Sequence, residues 1–404
     1  MIRKYLSFVL VLLIAASLIP APPAGASGLV PDESGWTKPD SGTLNDLRGI
    51  SFGNGTFVAV GESGWVARSG DGVTWTGSPA IDTPFLLNGI TFDDDHDKFV
   101  LVGYSGLIMT SDDGEAWANH QSTSDTAEPL ESVAYGNGIY VAVGHEGTIV
   151  SSDDGENWTS RTSNTSEMLY GVAYGNGKFV AVGDGGTILI SADGQKWSSR
   201  TSGTDWYLGG IAYGNGRFVA GGSLGTTVSS FDMGENWTPG SVGAMTHLFG
   251  VSYANGTFMA VGRDGTVATS ADGASWRPFP SPAPVELRSV AYGKGMYVAV
   301  GNEGKIMQYT NTDLSGLELS SGTLSPELAS GTASYTASVE HSIGSIAVTP
   351  TVSDSKATVT VNGEAVASGE PSEDIPLSVG SGNTIEIEVT AEDGTSAKTY
   401  IVAV

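Results

Sequence analysis

Aspartates near a glycine, with a tryptophan soon after, recur along the chain and are its most conspicuous candidates for chemistry. Three segments fit S/T-x-D-x-G-x-x-W through Asp112, Asp153 and Asp232, whereas Asp71, Asp193 and Asp272 directly precede glycine. Recurrent carboxylates suggest a calcium site or a catalytic acid, but a short carboxylate also accepts backbone N–H bonds across a tight turn. Because they recur in six repeats, they cannot converge on one substrate. We therefore predict a structural set of Asp71, Asp112, Asp153, Asp193, Asp232, Asp272, Trp36, Trp75, Trp117, Trp158, Trp197, Trp237 and Trp276.

The elements that hold these residues repeat at a regular interval. A glycine that closes an FVAVG-like segment recurs seven times, with successive spacings of 42, 41, 39, 39, 40 and 39, at Gly61, Gly103, Gly144, Gly183, Gly222, Gly262 and Gly301. Each unit contains four short segments rich in β-branched and aromatic residues, which indicate strands. Asn-Gly joins the first two in several units, as expected for a type I′ hairpin. This pattern predicts an all-β fold with a seven-bladed β-propeller; a parallel solenoid would not need two hairpins per repeat.

The chain ends are predicted to close the ring. Six units carry a tryptophan in the fourth strand, but the seventh, GNEGKIMQYT, has none. Trp36 lies 39 residues before Trp75. We therefore expect the N-terminal segment to supply the outer strand of the last blade, paired near Lys305 to Tyr309, which would remove an exposed sheet edge.

The repeats resemble two known groups of proteins. The aspartate-to-tryptophan segments, which we call the box turns, look like the Asp boxes of bacterial neuraminidase (BNR) repeats. The FVAVGxxGTI core, over about residues 29 to 310, is more similar to photosystem II assembly-factor-like propellers. The second resemblance implies a noncatalytic scaffold that docks on partner proteins. The first would imply a sialidase-like enzyme, which needs three arginines, a tyrosine and glutamate pair, and a general acid. No Arg-Ile-Pro segment precedes the boxes, so we assign no catalytic residue and keep a glycoside hydrolase or lyase as the alternative.

Variable residues on one face of the disc are the candidates for ligand binding. They occupy the turns between second and third strands and the links between blades, where loops carry recognition. Trp206 and Tyr207 add an aromatic pair that would suit a sugar ring or, alternatively, fill the interface between blades. The candidates are Arg48, Glu62, Tyr104, Glu131, His145, Glu146, Tyr170, Asp184, Trp206, Tyr207, Arg263, Asp264, Arg288, Asn302 and Glu303.

Composition and the N-terminus indicate export. Arg3 and Lys4, a short apolar run and Ala24-Gly25-Ala26 predict a signal peptide over residues 1–26, before a propeller at 27–313. Its removal lowers the 18 basic residues to 16 against 44 acidic ones, a net charge of about −28. Such a charge disfavours nucleic acid. We expect a secreted or cell-surface monomer, without membrane insertion after cleavage, that binds a polysaccharide or an extracellular or cell-wall protein.

Metals, cofactors and disulfides are not expected. The five histidines lack zinc-ligand spacing, and the sequence contains no cysteine. Residues 314–404 contain strongly alternating segments separated by turns, which predict a β-sandwich. Its LSxGxLSP opening, VNG hairpin and AEDGT turn resemble the cadherin-like modules of bacterial surface and secreted proteins. That resemblance implies a spacer or adhesion unit; DxNDN calcium motifs are absent, so calcium is not implied.

Overall fold

The computed structural model describes residues 36–80, 85–279, 284–329, 332–380, 382–392, 394 and 396–404. The signal peptide predicted at 1–26 lies outside these residues. The described elements are β-strands and single turns of 3-10 helix. The all-β fold class predicted from the repeat pattern is confirmed.

Residues 36–310 form seven antiparallel sheets of four strands within the described part of the chain. We number these sheets as blades 1 to 7. Blade 1 contains β2 (Leu47–Gly53), β3 (Thr56–Gly61), β4 (Trp65–Ser69) and β5 (Thr76–Pro79). Blade 2 contains β6 (Leu87–Asp93), β7 (Lys98–Gly103), β8 (Ile108–Ser111) and β9 (Ala118–Asn119). Blade 3 contains β10 (Leu130–Gly136), β11 (Ile139–Gly144), β12 (Ile149–Ser152) and β13 (Thr159–Arg161).

The remaining blades repeat this order. Blade 4 contains β14 (Leu169–Gly175), β15 (Lys178–Gly183), β16 (Ile188–Ser191) and β17 (Ser198–Arg200). Blade 5 contains β18 (Leu208–Gly214), β19 (Arg217–Gly222), β20 (Thr226–Ser230) and β21 (Thr238–Ser241). Blade 6 contains β22 (Leu248–Ala254), β23 (Thr257–Gly262), β24 (Val267–Ser270) and β25 (Arg277–Pro278). Blade 7 contains β26 (Leu287–Gly293), β27 (Met296–Gly301), β28 (Ile306–Thr310) and, from the N-terminal side, β1 (Trp36–Thr37).

The first strands of the blades surround a common axis. Each contacts the first strand of the next blade, and β26 contacts β2, so the ring is closed. β1 pairs with β28 through Trp36 opposite Tyr309, and Asp40 bridges to Lys305. The predicted closure by the N-terminal segment is therefore confirmed, and Trp36 is fully buried there.

Apolar side chains pack between neighbouring blades. One cluster joins Val100 and Ile108 of blade 2 to Leu130, Tyr140 and Trp158 of blade 3. Because each sheet presents its apolar face to the next sheet, a single blade cannot bury its core alone. The ring must therefore be complete before any blade is fully packed.

The box turns each hold an aspartate that accepts backbone N–H groups, and in blades 2 and 3 it is the residue after the one expected. In blade 4, Asp193 Oδ1 accepts the N–H groups of Gln195 and Lys196 at 2.9 and 2.8 Å. In blades 2 and 3 the acceptors are Asp113 and Asp154, so the assignment to Asp112 and Asp153 is wrong by one position.

The serine hydroxyl at the end of the third strand explains why the second of the two aspartates is the acceptor. Ser111 and Ser152, at the ends of β8 and β12, bond to Asp113 and Asp154 two residues later, as Ser69 does to Asp71. The turns therefore follow S-x-D-G-x-x-W. In blade 5 the extra Met233 separates Asp232 from glycine, and its backbone has φ 63°.

Residues 314–403 form a separate β-sandwich. Its six-stranded sheet runs in the order β30 (Leu324–Ser325), β31 (Ser334–Ala337), β38 (Ala397–Ala403), β37 (Thr384–Thr390), β34 (Thr358–Val361) and β35 (Glu364–Val366). Two smaller sheets pair β29 (Leu314–Leu319) with β33 (Val348–Val352), and β32 (Ser345–Ile346) with β36 (Ile375–Pro376). Buried residues such as Ile385, Ile387 and Val348 fill the space between them.

Candidate functional site

The two faces of the ring carry different connections. The first hairpin of each blade and the box turns lie on one face, which we call the hairpin face. The links between blades and the turns between second and third strands lie on the opposite face, which we call the link face. The sandwich contacts the hairpin face, where Tyr292 at the end of β26 donates to Asp354 Oδ2 at 3.1 Å and Asp354 is fully buried. The link face therefore points away from the sandwich.

Each turn on the link face has the same backbone frame. The backbone N–H of the first turn residue donates to the backbone carbonyl oxygen of the last residue of the preceding link, as the N–H of Asp184 does to Met168 O at 2.9 Å. Glycine is required just before the turn, because a Cβ at Gly183 would lie 2.0 Å from the Met168 carbonyl oxygen. The turns are Glu62–Gly64, Tyr104–Gly106, His145–Gly147, Asp184–Gly186, Ser223–Gly225, Arg263–Gly265 and Asn302–Gly304. Since the backbone supplies the frame, the first side chain of each turn is free to vary.

A ring of side chains lies at the axis on this face. The second residue of each first strand sits at a β-bulge, as Arg48 does between Leu47 and Gly49. Bulges redirect a side chain without ending the sheet. The seven positions are Arg48, Asn88, Glu131, Tyr170, Gly209, Phe249 and Arg288. We call this ring, with the first residues of the turns, the mouth.

Arginines occupy the mouth at blades 7 and 1. Arg288 Nε donates to Asn302 Oδ1 at 2.7 Å, and its Nη2 lies 2.7 Å from Glu286 Oε1. Arg48 Nη2 lies 3.8 Å from Glu62 Oε1. The Arg288 guanidinium also lies 5.6 Å from the centre of the Phe249 ring, within the range of a cation–π contact. This part of the mouth is therefore positively charged and partly neutralised by Glu286 and Glu62.

Acids and tyrosines occupy the mouth at blades 3 to 5. The Tyr170 hydroxyl donates to Asp184 Oδ2 at 3.2 Å, and its ring meets the Tyr207 ring edge to face at 4.7 Å. Glu131 Oε1 lies 2.8 Å from His145 Nε2, a contact that uses one carboxylate oxygen. We call Glu131, Tyr170, Asp184 and Tyr207 the acid–tyrosine pocket.

Tyr207 reaches into the mouth from the link before blade 5. Its hydroxyl lies 2.2 Å from where a Cβ at Gly209 would stand, so glycine leaves room for it. Burial raises its pKa, as do the nearby charges of Glu131 and Asp184 and the neighbouring Tyr170, whereas Arg288 lowers it. Burial and Asp184 raise the pKa of Tyr170 to about 12. The Tyr207 hydroxyl is therefore close to the acids of the pocket and within the field of Arg288.

Two buried polar atoms of the mouth have no hydrogen-bond partner. They are Nε of Arg48 and Oδ1 of Asn88. Asn88 is only 6% exposed, and its Nδ2 donates to the Leu130 carbonyl, directly before Glu131. Buried polar atoms are nearly always paired, so an unpartnered donor and acceptor on adjacent blades indicate a place for a ligand.

An open groove lies further out on the link face. Its volume is about 690 Å³, and it is lined by segments of blade 4 and the links on either side, including Gly185, Arg200 and Asp205. Trp206, next to Asp205, is 51% exposed.

The structure brings together many of the sequence-derived candidates. Contacts join Arg48 with Glu62, Tyr104 and Glu131 with His145, Tyr170 with Asp184 and Tyr207, and Arg288 with Asn302. Arg263 lies 4.0 Å from Glu286. In contrast, Glu146, Asp264 and Glu303 occupy the exposed, positive-φ second position of their turns, and Trp206 lies outside the mouth. Their role in binding stays a prediction.

Sequence reasoning left out Glu286 and His247, each of which directly precedes the repeat leucine. Glu286 holds Arg288, and His247 stacks on Phe249 with ring centres 6.4 Å apart. Tyr207 occupies the same repeat position. Comparing the residue before each leucine with Tyr207, already a candidate, would have indicated both Glu286 and His247.

Among the described residues, no cluster of three or more histidine, aspartate or glutamate side chains could hold a metal ion. In the same part of the chain, no helix has the length and apolar character needed to span a membrane.

Comparisons with protein families match two parts of the chain. Residues 314–404 match the cadherin-like beta sandwich domain, and residues 90–206 match the DUF6242 beta propeller domain. A curated relative from Evansella cellulosilytica, named "Putative membrane protein", is 45% identical over 86 residues. That match spans 21% of this chain and 13% of the relative.

Solved structures share the propeller fold. YCF48 from Cyanidioschyzon merolae is 17% identical with a TM-score of 0.56, covering 68% of this chain and 99% of that one. A structure titled YCF48 bound to D1 peptide is 18% identical with a TM-score of 0.57, covering 71% and 99%. The WD40 propeller domain of Doa1 is 15% identical with a TM-score of 0.55, covering 67% and 96%. At these identities the likeness concerns the fold alone.

Proposed function

We propose that this protein is an extracellular binding protein that holds a peptide segment of a protein partner at the mouth of the propeller. A β-propeller joined to a cadherin-like domain fits a binding or scaffold protein. The observation that carries the peptide proposal is the pair of unpartnered buried atoms, Arg48 Nε and Asn88 Oδ1. A peptide group supplies the carbonyl oxygen and the N–H that these atoms lack.

The position of the mouth supports the binding of a partner on the link face of the ring. Arg48 and Asn88 occupy equivalent positions on adjacent blades, and Asn88 O lies 3.0 Å from where a Cβ at Gly49 would stand. The sandwich contacts the hairpin face, so a partner at the mouth would not compete with it. The structure titled YCF48 bound to D1 peptide shows that a propeller of similar fold takes a peptide.

A binding role fits the charges better than glycoside hydrolysis does. A sialidase-like site would need several arginines free to grip a carboxylate. Here Arg288 bonds to Asn302 and contacts Glu286, while Arg48 lies near Glu62. Turnover of fluorogenic glycosides by the purified protein would contradict the proposal.

A peptide array tests the function directly. The full chain is applied to arrayed random peptides and, in parallel, to a glycan array. We expect peptide binding that is lost in Arg48→Met and Asn88→Leu. Arg277→Met is the matched control, because Arg277 is exposed on the outer strand of blade 6. Binding that survives both mouth substitutions would overturn the proposal.

Polysaccharide binding is a second candidate, favoured by one observation. Trp206 is exposed and directly follows Asp205, which lines the groove of about 690 Å³. An exposed aromatic face can stack on a sugar ring. This alternative predicts glycan-array binding that is lost in Trp206→Ala but retained in Arg48→Met.

A further inference from the structure

The acid–tyrosine pocket has the chemistry of a site for a positively charged group. Its polar groups offer carboxylate oxygens at Glu131 and Asp184 and phenol oxygens at Tyr170 and Tyr207. An ammonium or guanidinium group carries only donors, so it would match such a surface. The rings of Tyr170 and Tyr207 add faces that attract cations.

The internal contacts of the pocket leave acceptors available. His145 contacts Oε1 of Glu131, and the Tyr170 hydroxyl bonds to Oδ2 of Asp184. Each contact uses one of the two oxygens of a carboxylate. Both contacts also orient the carboxylates, which lowers the entropy cost of binding a ligand.

A second observation is independent of the acids. Asn88 is more than nine-tenths buried, and its Oδ1 is unpartnered. Its Nδ2 bonds to the Leu130 carbonyl, so its amide lies at the start of the strand that carries Glu131. The proposed function pairs this acceptor with a peptide N–H, so it places the bound peptide beside Glu131.

We infer that the acid–tyrosine pocket binds the cationic side chain of a lysine or arginine in the partner peptide. This inference rests on the proposed function and names the chemistry of one ligand residue. A peptide side chain is preferred to an amino sugar because Asn88, whose Oδ1 is assigned to a peptide N–H, bonds to Leu130, directly before Glu131. The net charge of −26 also favours a basic partner.

The occupant is tested with three short peptides of equal length. They are acetyl-Gly-Lys-Gly-amide, acetyl-Gly-Arg-Gly-amide and acetyl-Gly-norleucine-Gly-amide, and their binding to the full chain is measured by ligand-observed NMR. We expect a cationic peptide to bind about tenfold more tightly than the norleucine peptide, which keeps the alkyl chain without the charge. Equal binding of all three would overturn the inference.

Three variants locate the binding site. Glu131→Gln and Asp184→Asn are each expected to weaken binding of the cationic peptide about fivefold. Glu156→Gln is the matched control, because Glu156 is an exposed carboxylate in the box turn of blade 3, on the opposite, hairpin face. Thermal melting of each variant checks that it is folded. Unchanged affinity in both folded pocket variants would overturn the inference.

Two further outcomes separate this inference from the function on which it rests. If a glucosamine tetramer binds through Glu131 and Asp184 while the lysine and arginine peptides do not, the assignment to a peptide side chain is wrong. If arrayed peptides bind at Arg48 and Asn88 irrespective of charge, only the inference fails. If no arrayed peptide of any composition binds, the proposed function itself fails.

Discussion

Asp93 of blade 2 and Tyr140 of blade 3 are joined by a hydrogen bond that crosses the boundary between their blades. Asp93 is fully buried, and its carboxylate also contacts His96 Nδ1 at 2.8 Å. Five blades instead end their first strand in glycine, and a phenylalanine occupies the position of Tyr140 in the following blade. Tyrosine stands there only after Asp93 and Ala254, and Tyr297 donates to the Ala254 carbonyl oxygen at 3.0 Å. The tyrosine hydroxyl thus occurs in the two blades whose preceding blade ends its first strand in a residue other than glycine.

Removing the Tyr140 hydroxyl should destabilise the protein. Tyr140→Phe leaves a buried carboxylate with one donor fewer, and we expect a loss of about 1–3 kcal/mol in the free energy of unfolding. Tyr135→Phe is the matched control, because its hydroxyl bonds to Asp95 in an exposed position and should cost less than about 1 kcal/mol. Urea unfolding monitored by fluorescence measures both. Equal losses of unfolding free energy in the two variants would contradict a larger contribution from the hydrogen bond between Asp93 and Tyr140.

The repeat pattern predicted the blades because it depends on local turn chemistry and apolar alternation. The ring closure was also predictable, since the absence of a tryptophan after Tyr309 and the presence of Trp36 complement each other. The aspartate that accepts the backbone N–H groups in the box turn of blade 2 was not predictable. Thr110 and Ser111 both offer a hydroxyl, and Asp112 and Asp113 both offer a carboxylate. Strand register decides between them by placing Ser111 opposite Phe99.

The site was less predictable than the fold. Variable positions indicated the link face, but the approach of Tyr207 to Gly209 depends on the path of a link. The unpartnered atoms of Arg48 and Asn88 depend on packing between blades. Neither feature leaves a signal in the spacing of residues.

The box turns should make stability depend on acid pH. The N–H groups of Ala116 and Glu115 lower the pKa of Asp113, so its ionised form is favoured in the folded state. An unfolded aspartate has a pKa of about 3.9. The contribution of Asp113 to the stability of the fold is therefore present above that pH and is lost as the pH falls through its folded pKa. We expect Asp113→Asn to reduce the loss of stability below about pH 4. Urea midpoints at a series of pH values measure this dependence.

Asp112→Asn is the control for this prediction. Asp112 is the exposed neighbour that the turn does not use as its acceptor, so its substitution should leave the pH dependence unchanged. A flatter pH dependence in Asp112→Asn, with a normal one in Asp113→Asn, would restore the assignment made from the sequence.

Closure of the ring should depend strongly on Trp36. This side chain is fully buried, with its ring centre 5.4 Å from that of Tyr309 and 6.3 Å from that of Phe279. We expect Trp36→Ala to cost about 3–5 kcal/mol, as for other buried aromatic truncations. Trp206→Ala, at an exposed tryptophan, should change stability by no more than about 0.5 kcal/mol. Chemical denaturation compares them, and similar losses would contradict closure through Trp36.

A single methyl group at Gly209 should disturb the mouth without breaking the fold. A Cβ there would lie 2.2 Å from the Tyr207 hydroxyl, the far end of a side chain that can move aside. We expect Gly209→Ala to displace Tyr207 from the pocket and to weaken binding of the lysine or arginine probe peptide about fivefold. Ligand-observed NMR measures the affinity, and Gly344→Ala is the control because a Cβ at Gly344 would meet open space. Full affinity in a folded Gly209→Ala protein would show that the position of Tyr207 does not matter for the cation.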